Sequence, residues 1–271
     1  MASGFDAYSP KEIAERVESV GIAKAATPLL SLVMLGMLAG AFIGLGSMFY
    51  VIVASDASLG FAAGRVLGGV VFSLGLFLVV VAGAELFTGN NLLAMAWAHG
   101  RITTRDLLLN WIVVCAANFA GAAGLALLVF LSGHTEMNGG AIARTSLQIA
   151  AAKSSLPFWT ALFRGVMCNV LVCMAVWMSL AGRSVVDKFL AVLMPVTAFV
   201  AAGFEHSIAN MYFLPLGMML RAAAGEPVRF AGLWHNLVPV IAGNVLGGSV
   251  LVALVYYVIY RRPQPPALPP P

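Results

Sequence analysis

The sequence predicts an all-α membrane protein of six transmembrane helices, an inverted repeat of three plus three with helices 2 and 5 broken. Three observations carry this reading. The 271 residues are 61% hydrophobic and 10% charged, whereas soluble domains carry about 25% charged residues. Six apolar regions follow one another through short polar connectors. Two of the six are longer than the roughly 20 residues one crossing needs, and each holds polar residues in its interior.

Residues 1–27 read as a cytoplasmic amphipathic helix at the membrane surface. Ser9-Pro10-Lys11-Glu12 is a helix start, with serine as cap and proline in the first turn. Val17, Val20 and Ile22 supply a partly apolar face. No short apolar stretch with a small-residue cleavage site is visible there. Residues 28–262 read as one pore domain. Its apolar regions are Leu29–Val53, Val66–Ala98, Leu107–Leu131, Phe158–Leu180, Phe189–Leu220 and Leu233–Tyr260. Residues 263–271 are mostly proline and read as a disordered tail.

The second and fifth regions contain Glu85, Thr88, Asn90 and Asn91, and Glu205, His206, Ser207 and Asn210. A lipid-facing helix does not carry such clusters. A helix interrupted at membrane depth does, where the break lines a cavity or is covered by protein. Breaks are therefore expected at Gly83–Asn91 and Gly203–Asn210.

Basic residues set the orientation. Lys11, Arg16, Lys24, Arg101, Arg105, Arg183, Lys188, Arg261 and Arg262 fall on one side. Arg65, Arg144, Lys153, Arg164, Arg221 and Arg229 fall on the other. The first set is larger and hugs short connectors, which places both termini in the cytoplasm. The net charge of +4 is spread over span ends and forms no clustered face for nucleic acid. Cys115, Cys168 and Cys173 lie inside apolar spans without paired metal-ligand spacing and read as packing thiols. No cofactor is implied.

The halves resemble each other. Gly83-Ala84-Glu85 matches Gly203-Phe204-Glu205, and Asn110, Asn118 and Gly121 recur at identical spacing as Asn236, Asn244 and Gly247. Three spans per half is an odd number, so the second half enters the membrane inverted, and the site belongs where the halves meet.

His206 is the histidine that falls in the middle of a span. Low dielectric favours its neutral form, whereas an entering anion favours the charged one. This coupling lets the histidine pass a proton to a weak-acid anion in proton-linked, pH-sensitive passage, with histidine itself or water as the proton source. The alternative is a structural hydrogen bond between helices. Glu85 and Glu205 are placed to accept hydrogen bonds from N–H groups freed at the breaks; catalytic or metal-binding use is the alternative. Thr88 either donates to an anion beside exposed N–H groups or simply caps. Lys153 is an interfacial anchor or a charge that concentrates anions at a pore mouth. Asn169, a lone amide in the fourth span, requires a partner. Phe72, Leu76, Leu86, Phe87, Val172 and Phe199 are candidates for apolar constrictions.

Glu85-Leu86-Phe87-Thr88-Gly89-Asn90, the stretch Cys168-Asn169-Val170-Leu171-Val172-Cys173-Met174-Ala175-Val176-Trp177-Met178, and Gly203-Phe204-Glu205-His206-Ser207-Ile208-Ala209-Asn210-Met211 resemble signatures of the formate/nitrite transporter family. The resemblance implies an aquaporin-like fold, a homopentamer with one pore per subunit, a multi-pass place in the cell inner membrane, and passage of formate, nitrite or hydrosulfide. It implies that His206 is the central pore histidine and Thr88 the threonine of the first broken helix. It gives Lys153 and Asn169 a share in attracting the anion, with Glu205 and Asn210 beside them. Gly89-Asn90-Asn91 looks most like the branch associated with formate dehydrogenases, which ranks formate first. The N-terminal segment corresponds to a helix proposed to gate some members at low pH. The rival classes are a metal-binding membrane enzyme using Glu85, Glu205 and His206, and a sensor or scaffold.

Overall fold

The computed structural model describes residues 7–262; the proline-rich stretch 263–271 lies outside them. Helix α1 (Pro10–Ala25) begins at a reciprocal cap. The Glu12 N–H donates to Ser9 Oγ at 3.4 Å, the Ser9 N–H donates to Glu12 Oε2 at 2.8 Å, and Pro10 fills the first turn. There follow α2 (Leu29–Ala54) and α3 (Phe61–Gly83), then the short α4 (Phe87–Asn90) and α5 (Ala94–Ala98). Next come α6 (Thr104–Leu131), α7 (Met137–Ser154), α8 (Phe158–Ser179), α9 (Val185–Ala202) and α10 (Ser207–Ala223). The last is α11 (Ala231–Tyr260). Among the described residues, α2, α3, α6, α8, α9 and α11 are long and apolar enough to cross a membrane.

Several features differ from the sequence reading. The second span starts at Phe61 rather than Val66, because Gly60 closes the preceding turn at φ 69°. Arg65 reads as a boundary charge, yet it lies inside α3 and donates to the carbonyls of Val200 and Ala201 at 2.9 and 2.8 Å. Helix α7 precedes the fourth span where the sequence suggested only a connector. Helix α1 packs against the other helices. Its buried stripe is Ile13, Ala14, Val17 and Gly21, packed with Met95, Trp177 and Val252 of the protein, while Val20 is exposed.

The breaks fall where expected. Residues 84–86 and 204–206 are non-helical. Gly83 and Gly203 precede them at φ 83° and 75°, a left-handed conformation that costs other residues roughly 1–2 kcal/mol. The repeat is also geometric: α2 packs along α6 as α8 packs along α11. A Cβ on Gly121 would overlap the Met37 carbonyl oxygen, and one on Gly247 the Val166 carbonyl oxygen. Small residues thus bring these pairs into backbone contact. Within the repeat, α1 corresponds to α7, so the N-terminal helix is part of the symmetric plan.

Candidate functional site

Two asparagines hold the breaks. Asn118 Nδ2 donates to the carbonyls of Gly36 (2.7 Å) and Glu85 (2.9 Å), and its Oδ1 accepts from the Phe87 N–H (2.9 Å). Asn244 Nδ2 donates to the carbonyls of Gly165 (2.8 Å) and Glu205 (3.0 Å), and its Oδ1 accepts from the Ser207 N–H (3.0 Å). Each amide satisfies one carbonyl and one N–H that a broken helix leaves unpaired away from water, and ties them to the helical carbonyl of Gly36 or Gly165. The glutamate N–H groups are matched too: Glu85 donates to Leu35 O and Glu205 to Arg164 O, both at 3.2 Å.

This corrects the role expected of Glu85 and Glu205. Their carboxylates bind lysine and asparagine side chains, and the neighbouring asparagines serve the freed backbone. Lys153 Nζ lies 2.9 Å from Glu205 Oε1, and Asn210 Nδ2 donates to Glu205 Oε2 (2.6 Å) and Asn236 Oδ1 (2.7 Å). Lys24 Nζ lies 2.9 Å from Glu85 Oε1, and Asn90 Nδ2 donates to Glu85 Oε2 (2.7 Å) and Asn110 Oδ1 (2.9 Å). Both carboxylates are nearly water-free, where an unpaired charge is costly.

Two vestibules of about 410 Å³ each open on these clusters. Phe72, Phe199, Lys153, Glu205, His206 and Asn210 line one. Leu76, Leu86, Glu85, Gly83, Asn90 and Lys24 line the other, with α1 forming part of its wall. They face opposite sides, because three spans separate Lys24 from Lys153. The basic residues sort as the sequence predicted: Lys24, Arg101 and Arg261 gather around Glu85 and Glu18, and Arg65, Lys153 and Arg164 line the opposite vestibule.

Between the vestibules, Thr88 Oγ1 meets His206 Nε2 at 3.0 Å, with Thr88 fully buried and His206 3% exposed. His206 Nδ1 accepts from the Ala209 N–H at 3.1 Å, capping α10. A ring nitrogen that accepts a backbone N–H carries no proton, so the neutral ring holds its proton on Nε2. Nε2–H then donates to Thr88, whose own hydroxyl hydrogen is left for another acceptor. The ring of His206 stacks on Phe199 at 5.8 Å, and Phe199 meets Phe72 edge-on at 5.7 Å.

Phe87 and Val172 are buried beside this contact and line neither vestibule. Asn169 also reaches neither. Its Nδ2 donates to the carbonyls of Thr88 (3.2 Å) and Asn244 (2.7 Å) and to Asn91 Oδ1 (2.7 Å). It holds the first turn of α4 at Thr88, and its Oδ1 has no hydrogen-bond partner among the described residues. Cys173 donates to the same Thr88 carbonyl at 3.4 Å. Cys168 and Cys173 are buried, Cys115 is half-buried, and all three are free thiols. Glu85 and Glu205 face opposite vestibules, so they do not converge with His206 on one metal ion. Among the described residues no three His, Cys, Asp or Glu side chains group to hold one.

Outside the spans, Glu18 of α1 accepts from His99 Nδ1 and Arg261 Nε, both at 2.8 Å. Burial pushes its carboxyl up, but hydrogen bonds and charge from Arg261 and His99 outweigh this and hold it below the usual carboxylate range.

Lys24 and the two clamp asparagines are the residues the sequence reading undervalued. A signal for Lys24 was present: Ala23-Lys24-x3-Pro28-x7-Gly36 recurs as Ala152-Lys153-x3-Pro157-x7-Gly165.

The sequence model of the formate/nitrite transporter family matches residues 11–258. The formate channel FocA of Escherichia coli is 40% identical over 95% of this chain and 96% of its own length. A solved structure described as a pentameric formate channel with formate bound superposes with a TM-score of 0.78 at 35% identity, covering 86% of this chain and 97% of that one. Another, described as an ion channel of the same family, gives 0.81 at 28% identity, covering 92% and 98%.

Proposed function

Because the chain belongs to the formate/nitrite transporter family, we propose that it is a homopentameric channel for small monovalent anions, formate first. Nitrite and hydrosulfide are the alternatives for the same pore. The observation that carries this reading is the contact of Thr88 with His206 between two lysine-bearing vestibules. The lysine and arginine distribution supports a place in the cell inner membrane with both termini cytoplasmic. The structural neighbour described as pentameric supports the assembly.

The mechanism follows from cost. A bare charge at the centre of a hydrocarbon layer costs on the order of 3 kcal/mol even on lenient scales. The anion gathers in a vestibule near Lys153 and sheds water between Phe72 and Phe199. It then meets the one hydroxyl hydrogen that Thr88 has left to give. His206 fixes that hydroxyl by donating to it from Nε2. A second proton on His206 would have to displace the Ala209 N–H from Nδ1. The proton that neutralises formate as formic acid therefore comes from solvent in the vestibule, and neutral His206 keeps the hydroxyl aimed.

Flux of formate, nitrite and hydrosulfide into proteoliposomes at two pH values tests this. The expected result is formate uptake that rises on acidification and is lost in His206→Ala. Absence of anion flux, or a His206→Ala protein with unchanged rate and pH dependence, overturns it.

A further inference from the structure

The repeat supplies an internal control, because the two vestibules are built from corresponding residues and their differences stand out. Leu35 and Arg164 occupy corresponding positions. Each precedes the glycine whose carbonyl accepts from a clamp asparagine, and each gives its own carbonyl to a break glutamate at 3.2 Å. The backbone job is the same, yet the side chain is apolar on one side and cationic on the other. Leu35 lines the vestibule of Lys24, and Arg164 that of Lys153.

The charge balance differs accordingly. Near α1, Lys24 is the cation lining the vestibule, and it is bound to Glu85 and Asn90. Opposite, Arg65, Lys153 and Arg164 face one carboxylate, Glu205. Lys153 is bound to Glu205. Arg65 is engaged with the carbonyls that end α9. Arg164 is exposed, and among the described residues its side chain has no hydrogen-bond or ion-pair partner, leaving its donors for a solute. A guanidinium fork matches a carboxylate in two hydrogen bonds, and surplus positive charge in a low-dielectric mouth raises local anion concentration.

We propose that Arg164 captures the carboxylate anion in the vestibule opposite α1, giving the pore a lower half-saturating concentration from that side. The proposal rests on the anion-channel reading above. Passive passage keeps the ratio of maximal rate to half-saturation equal in both directions, so the asymmetry appears in half-saturation and sets no net direction.

The test is labelled-formate uptake into proteoliposomes of one orientation, fixed by protease access to α1. At low ionic strength, Arg164→Leu should raise the half-saturating concentration on the Arg164 side by about tenfold. Arg164→Lys should keep part of the effect. The difference should vanish in high salt, which also shows that the variant is folded. In the Arg164→Leu background, Leu35→Arg should confer low half-saturation on the other side. An Arg164→Leu protein with unchanged low-salt half-saturation overturns the proposal. A wild-type protein that passes no formate brings down the channel reading instead. The capture role is then decided by phenylglyoxal labelling: protection of Arg164 by formate sustains it, and no protection overturns it.

Discussion

Lys24 holds Glu85 from an N-terminal helix at 2.9 Å, the distance at which Lys153 holds Glu205 from the corresponding helix of the second half. The amines differ in setting: the Lys24 side chain is 25% exposed and that of Lys153 16%. Removing one partner of a buried pair leaves the other charge uncompensated, at a cost of about 3–5 kcal/mol. Lys153→Met should therefore destabilise the protein by about 3 kcal/mol, and Lys24→Met by less, since water reaches Glu85 more easily. Adding Glu205→Gln to Lys153→Met should restore most of the loss. Thermal melting in detergent measures all three.

The clamp asparagines give a second prediction. Asn118→Ala strands the Glu85 carbonyl and the Phe87 N–H, and Asn244→Ala strands the Glu205 carbonyl and the Ser207 N–H. At roughly 1–3 kcal/mol per stranded group, either change should lower the yield of folded protein sharply. Asn118→Asp should be no better than alanine, because a carboxylate would face two carbonyl oxygens. Size-exclusion profiles of the purified variants report the outcome.

Thr88→Val keeps the shape of the side chain and removes the hydroxyl that joins the halves. One lost hydrogen bond at the point of passage, about 1.5 kcal/mol, predicts a formate flux lower by roughly tenfold. Stability measured by melting should fall modestly as well, by about 1–3 kcal/mol, because the buried His206 Nε2–H loses its acceptor. Unchanged flux would place Thr88 outside the pathway.

Glu18 predicts how α1 responds to acid. Its folded carboxyl titrates below the unfolded value, so its contribution is present above about pH 4.3 and is lost as pH falls through the folded pKa. Amide exchange in α1 should stay slow from neutral pH into the mildly acidic range and speed up only below it. Glu18→Gln should show the fast exchange already at pH 7, because a neutral amide no longer pairs with Arg261. Equal exchange in the two proteins at pH 7 would show that apolar packing alone seats α1.

The sequence alone determined the six spans, the two breaks and the inverted repeat. Length, buried charge and a spaced Asn-Asn-Gly pattern survive without coordinates, since hydrocarbon tolerates neither an unpaired backbone nor an unpaired charge. Gly83 and Gly203 were legible for the same reason, because a break needs a residue free to turn left-handed. The rest was decided by tertiary structure. In a chain apolar on its lipid face and its core face alike, periodicity does not say which way a side chain points. So the sequence does not say that the Asn169 amide bonds the carbonyls of Thr88 and Asn244, while Arg164 reads as a span-end charge and lines the vestibule. Lys24 has its repeat mate in plain sequence, but its partner Glu85 lies far along the chain, and only folding brings the two together.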